Sequence, residues 1–156
     1  MSCNVLYNPS FEAGLTGWYT TPETGFSVGN AVPAYSGSYY ADILTNADQN
    51  TSVISQDFTG LDVGVPYNLT VQVRLLEDIS SVSGCTVFAY FDKDPEAGAI
   101  ASDIIWHAQS WMRLTGTVTP TEEAGTLSLG GTCGFSAPGA SPEGHVLFDE
   151  VVFGDC

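Results

Sequence analysis

The spacing of apolar and polar residues along the chain predicts a protein built from β-strands. Between Tyr67 and Leu75, apolar side chains occupy every second position and polar ones lie between them. This period of two is typical of a strand with one buried and one solvent-facing side. Similar but less regular patterns predict strands at Val53–Phe58, Met112–Val118, Tyr39–Leu44, Thr126–Gly130 and His145–Phe153.

The segment Cys85–Phe91 is also predicted to be a strand, although both of its faces are apolar. Phe88 and Tyr90 lie on the face opposite Cys85 and Val87. No helix of ordinary length stands out, although Asp94–Ile104 has room for a single turn. The segments expected to lack regular structure are 20–35, 92–105 and 134–144.

A succession of strands, with 17 Gly and eight Pro spread between them, favours an all-β fold, an antiparallel sandwich. The length of 156 residues fits one domain of ordinary size, which we place at 1–156. The chain contains no run of about 18 apolar residues, so no membrane span is predicted. No signal peptide is visible, and we interpret Met1 as an expression start placed before a mature domain.

The charge of the chain is strongly negative, with 18 acidic residues against three Lys and Arg and a net charge of -15. Nucleic acid and anionic membranes are therefore poor partners, because both require positive charge. The simplest explanation is solubility or an acidic medium. The alternative, which is compatible with the first, is that a few of the acids surround a cation.

Four cysteines without the C-x2-C spacing of zinc sites predict disulfides. Three pairings are possible, and we favour Cys3–Cys156 with Cys85–Cys133, because the ends of a sandwich usually meet. Disulfides indicate an oxidising compartment and therefore secretion. The sequons that begin at Asn50 and Asn68 agree with this and predict a glycoprotein.

The two ends of the chain also carry matched acids. Glu12 lies just inside Cys3, and Asp149 lies just inside Cys156. We expect the ends to come together and to form a closed sandwich with a metal site.

Short motifs spread over nearly the whole chain point to one family. They are Asn8-Pro9-Ser10-Phe11-Glu12, Gly17-Trp18, Ser36-Gly37-Ser38-Tyr39-Tyr40-Ala41, Ser55-Gln56, Leu61 through Gly64 to Tyr67, Trp111 and Leu147-Phe148-Asp149-Glu150-Val151. Together they resemble jelly-roll carbohydrate-binding modules of the galactose-binding-domain-like superfamily, and the cysteine pairs are similar to those of extracellular fungal members. The resemblance implies a jelly-roll β-sandwich whose Trp18 and Trp111 pack inside.

The resemblance also implies a structural Ca²⁺ that ties the two ends of the chain together. By position, Glu12 and Asp149 would give side-chain oxygens, and Ser10 and Ser38 mainly backbone oxygens. Calcium takes six to eight such hard oxygen ligands. The alternative is that Glu12 only accepts backbone hydrogen bonds and Asp149 caps a turn.

A sugar-binding surface is expected where aromatic and planar polar side chains meet. Gln72 and Arg74 lie on the polar face of one strand, and Phe88 and Tyr90 lie on the outer face of the next. If the strands are neighbours, the four residues line one open surface; the alternative is that Phe88 and Tyr90 are buried as a second layer of core. Trp106, in a loop, offers either a stacking platform or a lid on the core.

No catalytic motif is present, since neither histidine accompanies a recognisable nucleophile motif. We therefore expect a secreted, non-catalytic module that binds a neutral polysaccharide or oligosaccharide. We expect it to be a monomeric part of a larger extracellular protein, without nucleic-acid or membrane partners. The alternatives are an adhesion or structural surface domain without sugar binding, and a small glycan-active enzyme.

Overall fold

The computed structural model describes residues 3–21, 26–46, 52–76, 82–92, 99–107, 110–135 and 143–155. All regular secondary structure in these ranges is β-strand. In chain order the strands are β1 (Tyr19–Thr21), β2 (Phe26–Gly29), β3 (Tyr40–Asn46), β4 (Ser52–Thr59), β5 (Tyr67–Leu75), β6 (Val82–Phe91), β7 (Ala101–Ile105), β8 (Met112–Val118), β9 (Ala124–Phe135) and β10 (Glu143–Gly154).

The strands form two antiparallel sheets of five strands each. The first sheet has the order β1-β4-β9-β6-β7, and the second has the order β2-β3-β10-β5-β8. Most neighbours within a sheet are distant in sequence, so the chain crosses repeatedly from one sheet to the other. The predicted all-β fold, an antiparallel jelly-roll sandwich, is confirmed.

Strands with a clear period of two were predicted best. The bounds of β5 and β8 agree with those predicted, whereas β9 and β10 extend further than expected. Three strands, β1, β2 and β7, were missed or placed in irregular segments. The single turn expected within Asp94–Ile104 is wrong for Ala101–Ile104, which belong to β7, while residues 94–98 lie outside the described residues.

Aromatic side chains join the two sheets across the core. The ring of Phe153, on β10, lies 5.5 Å from that of Phe58 and 5.8 Å from that of Phe91, which both come from the first sheet. The ring of Tyr67, on the second sheet, lies 5.4 Å from the Phe153 ring and belongs to the same cluster. Removal of this much apolar surface from water is the main force that holds the sheets face to face.

Two tryptophans, Trp18 and Trp111, were predicted to lie in the core, and only one of them does. Trp18 is buried and packs on Phe11 with the ring centroids 5.3 Å apart, as expected. Trp111 is only half-buried and contacts the rings of Tyr35 and Tyr40 outside the inter-sheet core. The prediction for Trp111 is therefore wrong, because the loop that precedes β3 gives this side chain apolar cover on the outside of a sheet.

The two ends of the chain meet, as predicted. Asn4 donates a hydrogen bond to the carbonyl of Val151 at 2.8 Å and accepts one from the amide of Phe153 at 3.0 Å. At Gly154, a Cβ would overlap the carbonyl oxygen of Cys3, so this close approach requires glycine. Cys3 is disulfide-bonded, but its expected partner, Cys156, lies outside the described residues.

The other predicted disulfide, Cys85–Cys133, is confirmed. It joins directly opposite residues of β6 and β9, within the first sheet. No helix in the described ranges is long and apolar enough to span a membrane.

Candidate functional site

The predicted surface of four sugar-binding residues does not form. Gln72 and Arg74 lie on β5, between β10 and β8 in the second sheet. Phe88 and Tyr90 lie on β6, between β9 and β7 in the first sheet. The expectation that consecutive strands are neighbours is wrong here, because the chain crosses between the sheets after β5.

The outer face of the first sheet carries a row of four side chains across four strands. Tyr19 lies opposite Ser55, Ser55 opposite Ser128, and Ser128 opposite Tyr90. Directly opposite residues share a face, and the alternating neighbours of these residues are core residues, so the row faces outward. Three strand spacings separate the two tyrosines, or roughly 14 Å.

Small residues between the tyrosines make this face a groove. We use "the groove" for the face formed by Tyr19, Ser55, Asp57, Tyr90, Thr126 and Ser128.

The floor of the groove continues beside the row, where Phe88 lies opposite Gly130. A Cβ at Gly130 would lie 2.6 Å from the Phe88 ring, so only glycine allows the ring to lie down on β9. Phe88 is 6% exposed, and its ring centroid is 4.9 Å from that of the more exposed Tyr90. The structure therefore brings this predicted pair together, with Tyr90 on the open surface and Phe88 supporting it.

Polar groups in the groove are held in place by hydrogen bonds. The Tyr19 hydroxyl donates to Oδ1 of Asp57 at 2.8 Å, and the Thr126 hydroxyl donates to the same oxygen at 2.7 Å. The hydroxyls of Ser55 and Ser128 are 2.7 Å apart. These hydrogen bonds fix the positions of the Asp57 carboxylate and of the four hydroxyls.

Burial raises the pKa of Tyr19 above its ordinary value of 10.0, and the hydrogen bond and negative charge of Asp57 add to the effect. The phenol therefore stays neutral and keeps donating to Asp57 at physiological pH. Its ring is 44% exposed, so one face remains open for a ligand.

A depression of about 640 Å³ adjoins the groove where β4 ends and β9 begins. Asp57 and Thr126 line it, and so do two further acids, Asp92 and Glu122. The amide of Asp92 donates to the carbonyl of Thr126 at 2.7 Å, which anchors that acid beside the groove. The depression enlarges the open site and gives its end a negative character.

Trp106 is the most exposed of the large apolar side chains, with 62% of its surface accessible. Its ring lies over Gly84, where a Cβ would come within 3.0 Å of it. Gly84 is six residues from Tyr90 along β6, or about 20 Å. A separate depression of about 260 Å³ lies between Trp106, Ile104 and Ser110. With this exposure Trp106 does not form a lid on the core, and it lies well apart from the row of tyrosines.

The remaining predicted sugar-binding residues lie on the outside of the second sheet. Gln72 is only 7% exposed. The guanidinium of Arg74 lies 5.8 Å from the ring centroid of Trp111 and donates to the carbonyl of Leu75 at 3.2 Å. Neither residue belongs to the groove.

Two of the four predicted metal ligands, Glu12 and Asp149, accept hydrogen bonds from the loop that contains a third, Ser38. Glu12 accepts hydrogen bonds from the amides of Ser38 and Tyr39, both at 2.8 Å. Asp149, from the other end of the chain, accepts one from the amide of Ser36 at 2.9 Å. The backbone hydrogen bonds expected as the alternative to a metal are therefore present. No group of three or more His, Cys, Asp or Glu side chains suited to a metal occurs among the described residues.

Asp149 is an unusual carboxylate because it is completely buried. Burial raises its pKa, while hydrogen bonds from the backbone of Ser36, Glu150 and Tyr35 work in the opposite direction. A buried negative charge is costly without compensation, and these backbone hydrogen bonds supply part of that compensation.

Sequence reasoning missed Tyr19, Ser55, Asp57, Thr126 and Ser128 as site residues. The alternation of Ser55 and Asp57 within β4 marks them as outward-facing, but only the strand order reveals what lies beside them. No pattern identified β1, which is three residues long and carries Tyr19.

Comparison with known proteins agrees with the fold. No curated protein matches the chain. The solved structure of TmCBM61 in complex with β-1,4-galactotriose is similar, with 17% identity and a TM-score of 0.66 over 99% of this chain and 100% of that one. The CBM22-1 xylan-binding domain from Paenibacillus barcinonensis Xyn10C has 18% identity and a TM-score of 0.65 over 93% of this chain and 90% of that one.

A longer protein contains a similar module. The CBM22-1–GH10 modules of Clostridium thermocellum Xyn10B, complexed with xylohexaose, match with 16% identity and a TM-score of 0.65. All of this chain is covered, but only 29% of that one.

A sequence model described as "Carbohydrate binding domain" matches residues 3–130, most of the chain. The chain therefore belongs to the carbohydrate-binding domain family and is a non-catalytic, sugar-binding β-sandwich.

Proposed function

We propose that the groove of the first sheet binds an extended, neutral polysaccharide or oligosaccharide. The observation that carries the proposal is the row from Tyr19 through Ser55 and Ser128 to Tyr90. Two aromatic side chains flank a floor of small hydroxyl residues, of which Ser55 and Thr126 are buried and Ser128 is half-buried.

Binding combines stacking and hydrogen bonding. The rings of Tyr19 and Tyr90 offer flat apolar faces for the C–H surfaces of sugar rings. The Asp57 carboxylate and the hydroxyls of Ser55, Ser128 and Thr126 supply fixed polar partners for sugar hydroxyls. No chemistry on the sugar is needed, which fits a module that holds its parent protein near a glycan.

Charge favours a neutral glycan. Asp57, Asp92 and Glu122 give the groove and its adjoining depression a negative character. Arg74 and Arg113 both lie on the other sheet, and Lys93 lies outside the described residues. An anionic glycan would therefore meet repulsion from these three acids.

The first ligands to test are neutral β-linked glycans. Xylan and β-1,4-galactan are the natural choices, because structural neighbours are described with xylan, xylohexaose and β-1,4-galactotriose. Cellulose and mannan complete a neutral panel, and polygalacturonate serves as an anionic comparison.

The test measures affinity for this panel by calorimetry and by pull-down with insoluble polysaccharide. Tyr19→Ala and Tyr90→Ala should each weaken binding by about 2 kcal/mol, or about thirtyfold in Kd. Tyr7→Ala is the matched control, since this exposed tyrosine lies outside the groove. Unchanged affinity in both groove variants would contradict the proposal, and so would preferential binding of polygalacturonate.

We also propose that a structural Ca²⁺ ties the chain ends together at Glu12 and Asp149, with backbone or hydroxyl oxygens of Ser10 and Ser38. The residues fit such an ion, because two carboxylates from opposite ends of the chain bracket one loop. Asp149 is buried without a cationic partner among its described hydrogen bonds. Calcium would neutralise it, and loop oxygens can complete a flexible coordination shell.

The Tm measured with calcium and with chelator tests this second proposal. At a free calcium concentration of 100 times Kd, binding stabilises the fold by about 2.7 kcal/mol, which corresponds to a Tm rise of roughly 5–10 °C for a domain of this size. Glu12→Gln and Asp149→Asn should remove the difference, whereas Asp62→Asn, at an exposed acid elsewhere, should keep it. Equal Tm values for the unaltered protein in both conditions would refute the ion.

The disulfides support the proposal that the module is secreted as a monomeric part of a larger extracellular protein. We further propose that it is a glycoprotein. Asn50 lies outside the described residues, but Asn68 is exposed on β5. A glycan there projects from the second sheet and leaves the groove open. Mass spectrometry of protein secreted from a eukaryotic host, compared with Asn68→Gln, tests whether this sequon is used.

A further inference from the structure

The outer face of the second sheet holds a small pocket that the groove does not explain. Its volume is about 220 Å³, well below that of the depression beside the groove. The pocket is lined by Tyr35, Thr70, Gln72, Arg113, Glu150 and Val152. We call it the β5 pocket, because β5 supplies its floor.

The strand order explains the shape of the β5 pocket. Thr70 and Gln72 form the floor on β5, Arg113 lies directly opposite Gln72 on β8, and Glu150 lies on β10 at the other side. The pairing of β10 with β5 shifts register between Asp149 and Val152, and Glu150 has a φ of 43°. This bulge displaces the backbone of β10, and bulges commonly re-aim side chains beside binding sites.

Gln72 is the residue that points to a ligand. It is 93% buried, since its exposed fraction is 7%, and it lines the pocket. Its side-chain amide makes no hydrogen bond to another described residue, and its polar atoms are not among the fully buried ones, so they reach the surface of the pocket. Its oxygen and nitrogen are therefore available to a molecule that enters the pocket.

The chemistry of the lining suits a sugar residue. An amide, a guanidinium and a carboxylate are planar groups that can bridge neighbouring hydroxyls, and Thr70 adds a hydroxyl. Tyr35 is 47% exposed and offers a ring beside them. The positive charge of Arg113 is balanced by the negative charge of Glu150, so the pocket selects neither an anion nor a cation.

We propose that the β5 pocket is a second carbohydrate site, which holds a single neutral pyranose residue. The inner faces of both sheets pack on the core, so this pocket and the groove face away from each other. The module would then contact two glycan segments at once and increase its retention on a polysaccharide network by avidity. The gain in retention by avidity rests on the proposed function of the groove, whereas binding of a sugar in the β5 pocket does not.

Nuclear magnetic resonance of the whole chain, produced in bacteria without N-glycans, tests the proposal directly. The probes are methyl β-xyloside, methyl β-galactoside and methyl β-glucoside at millimolar concentrations. At least one should produce saturable shifts of the Gln72 side-chain amide and of the Thr70 and Arg113 backbone amides. The same shifts should persist in Tyr90→Ala, in which the groove is impaired.

Matched variants show whether the pocket residues are responsible. Arg113→Ala should weaken the pocket's affinity for the sugar at least tenfold, whereas Arg74→Ala, with the same change of charge on the same face, should leave it within twofold. Gln72→Asn, which keeps the amide but shortens its reach, should also weaken it tenfold while the amide spectrum stays well dispersed.

Three results would overturn the second site. They are the absence of saturable shifts at the pocket with all three sugars, loss of those shifts in Tyr90→Ala, and equal losses in Arg74→Ala and Arg113→Ala. Failure of the groove is distinguishable, because polysaccharide binding would then survive Tyr19→Ala and Tyr90→Ala while the pocket shifts remain.

Discussion

The outer faces of the two sheets follow the same alternation of side chains but present different surfaces. On the first sheet, the centre of the face is made of small residues such as Ser55, Ser128 and Gly130, with tyrosines at either side. On the second sheet, Trp111, Tyr35 and Tyr40 contact one another over the face. The first face is therefore open between its tyrosines, whereas on the second face these rings cover part of the described surface beside the β5 pocket.

Under the proposed function, side-chain volume decides which face of the sandwich receives a long ligand. Charge separates the faces as well, because both described arginines, Arg74 and Arg113, lie on the second sheet. The disulfide Cys85–Cys133 lies wholly within the first sheet. This covalent link therefore joins β6 and β9, two of the strands that form the groove.

The largest effect is expected when that covalent link is removed. The bridge spans a sequence separation of 48 residues, so Cys85→Ser with Cys133→Ser should lower the free energy of unfolding by about 4 kcal/mol in the loop-entropy model. Denaturant unfolding measures the loss. Under conditions where the variant remains folded, affinity for polysaccharide in the groove should fall more than sugar affinity in the β5 pocket. A larger fall of sugar affinity in the β5 pocket than in the groove would contradict this difference between the two sheets.

A smaller effect is expected when the floor of the groove is filled. In Gly130→Ala, the added Cβ would lie 2.6 Å from the Phe88 ring and 2.7 Å from the carbonyl oxygen of Ser52. This overpacking should destabilise the fold by about 1–3 kcal/mol and displace Phe88 from beneath Tyr90. Thermal unfolding and polysaccharide affinity measure the two consequences. A variant of unchanged stability and affinity would show that the floor tolerates volume.

The smallest effect concerns pH. Because burial and Asp57 raise the pKa of Tyr19, the neutral phenol contributes stability that is complete below the ordinary pKa of 10.0 and is lost as the pH rises through the raised value. Groove affinity should therefore stay constant from neutral pH to about pH 10 and fall above it. Ultraviolet titration, with Tyr19→Phe as the control, should show one late-ionising phenol fewer in the variant. An early loss of affinity below pH 9 would contradict this assignment.

Strands inside the sheets were predictable from the sequence, whereas three of the four edge strands, all but β8, were not. The period of two in Tyr67–Leu75 arises because one side of β5 packs on the core, and its bounds were predicted correctly. The missed strands β1, β2 and β7 all lie at sheet edges. An edge strand has one neighbour and little burial, so its sequence carries a weak pattern, as in the exposed middle of Ala101–Ile105.

The candidate site was predictable only in part for a different reason. Tyr90 was identified because an aromatic side chain on the outside of a strand is conspicuous. Its partners Tyr19 and Asp57 come from strands far away in sequence, and their proximity depends on the strand order. Consecutive strands are neighbours in most folds, and that expectation wrongly paired Tyr90 with Gln72.

The meeting of the chain ends has a practical consequence. Since Asn4 is hydrogen-bonded to Val151 and Phe153, the polypeptide enters and leaves the sandwich at nearly the same point. Such a unit can be inserted into a surface loop of a host protein, or permuted by joining its ends, without stretching either partner. The contact between the chain ends therefore also makes the domain transferable, so that it can add a sugar-binding surface to an unrelated protein.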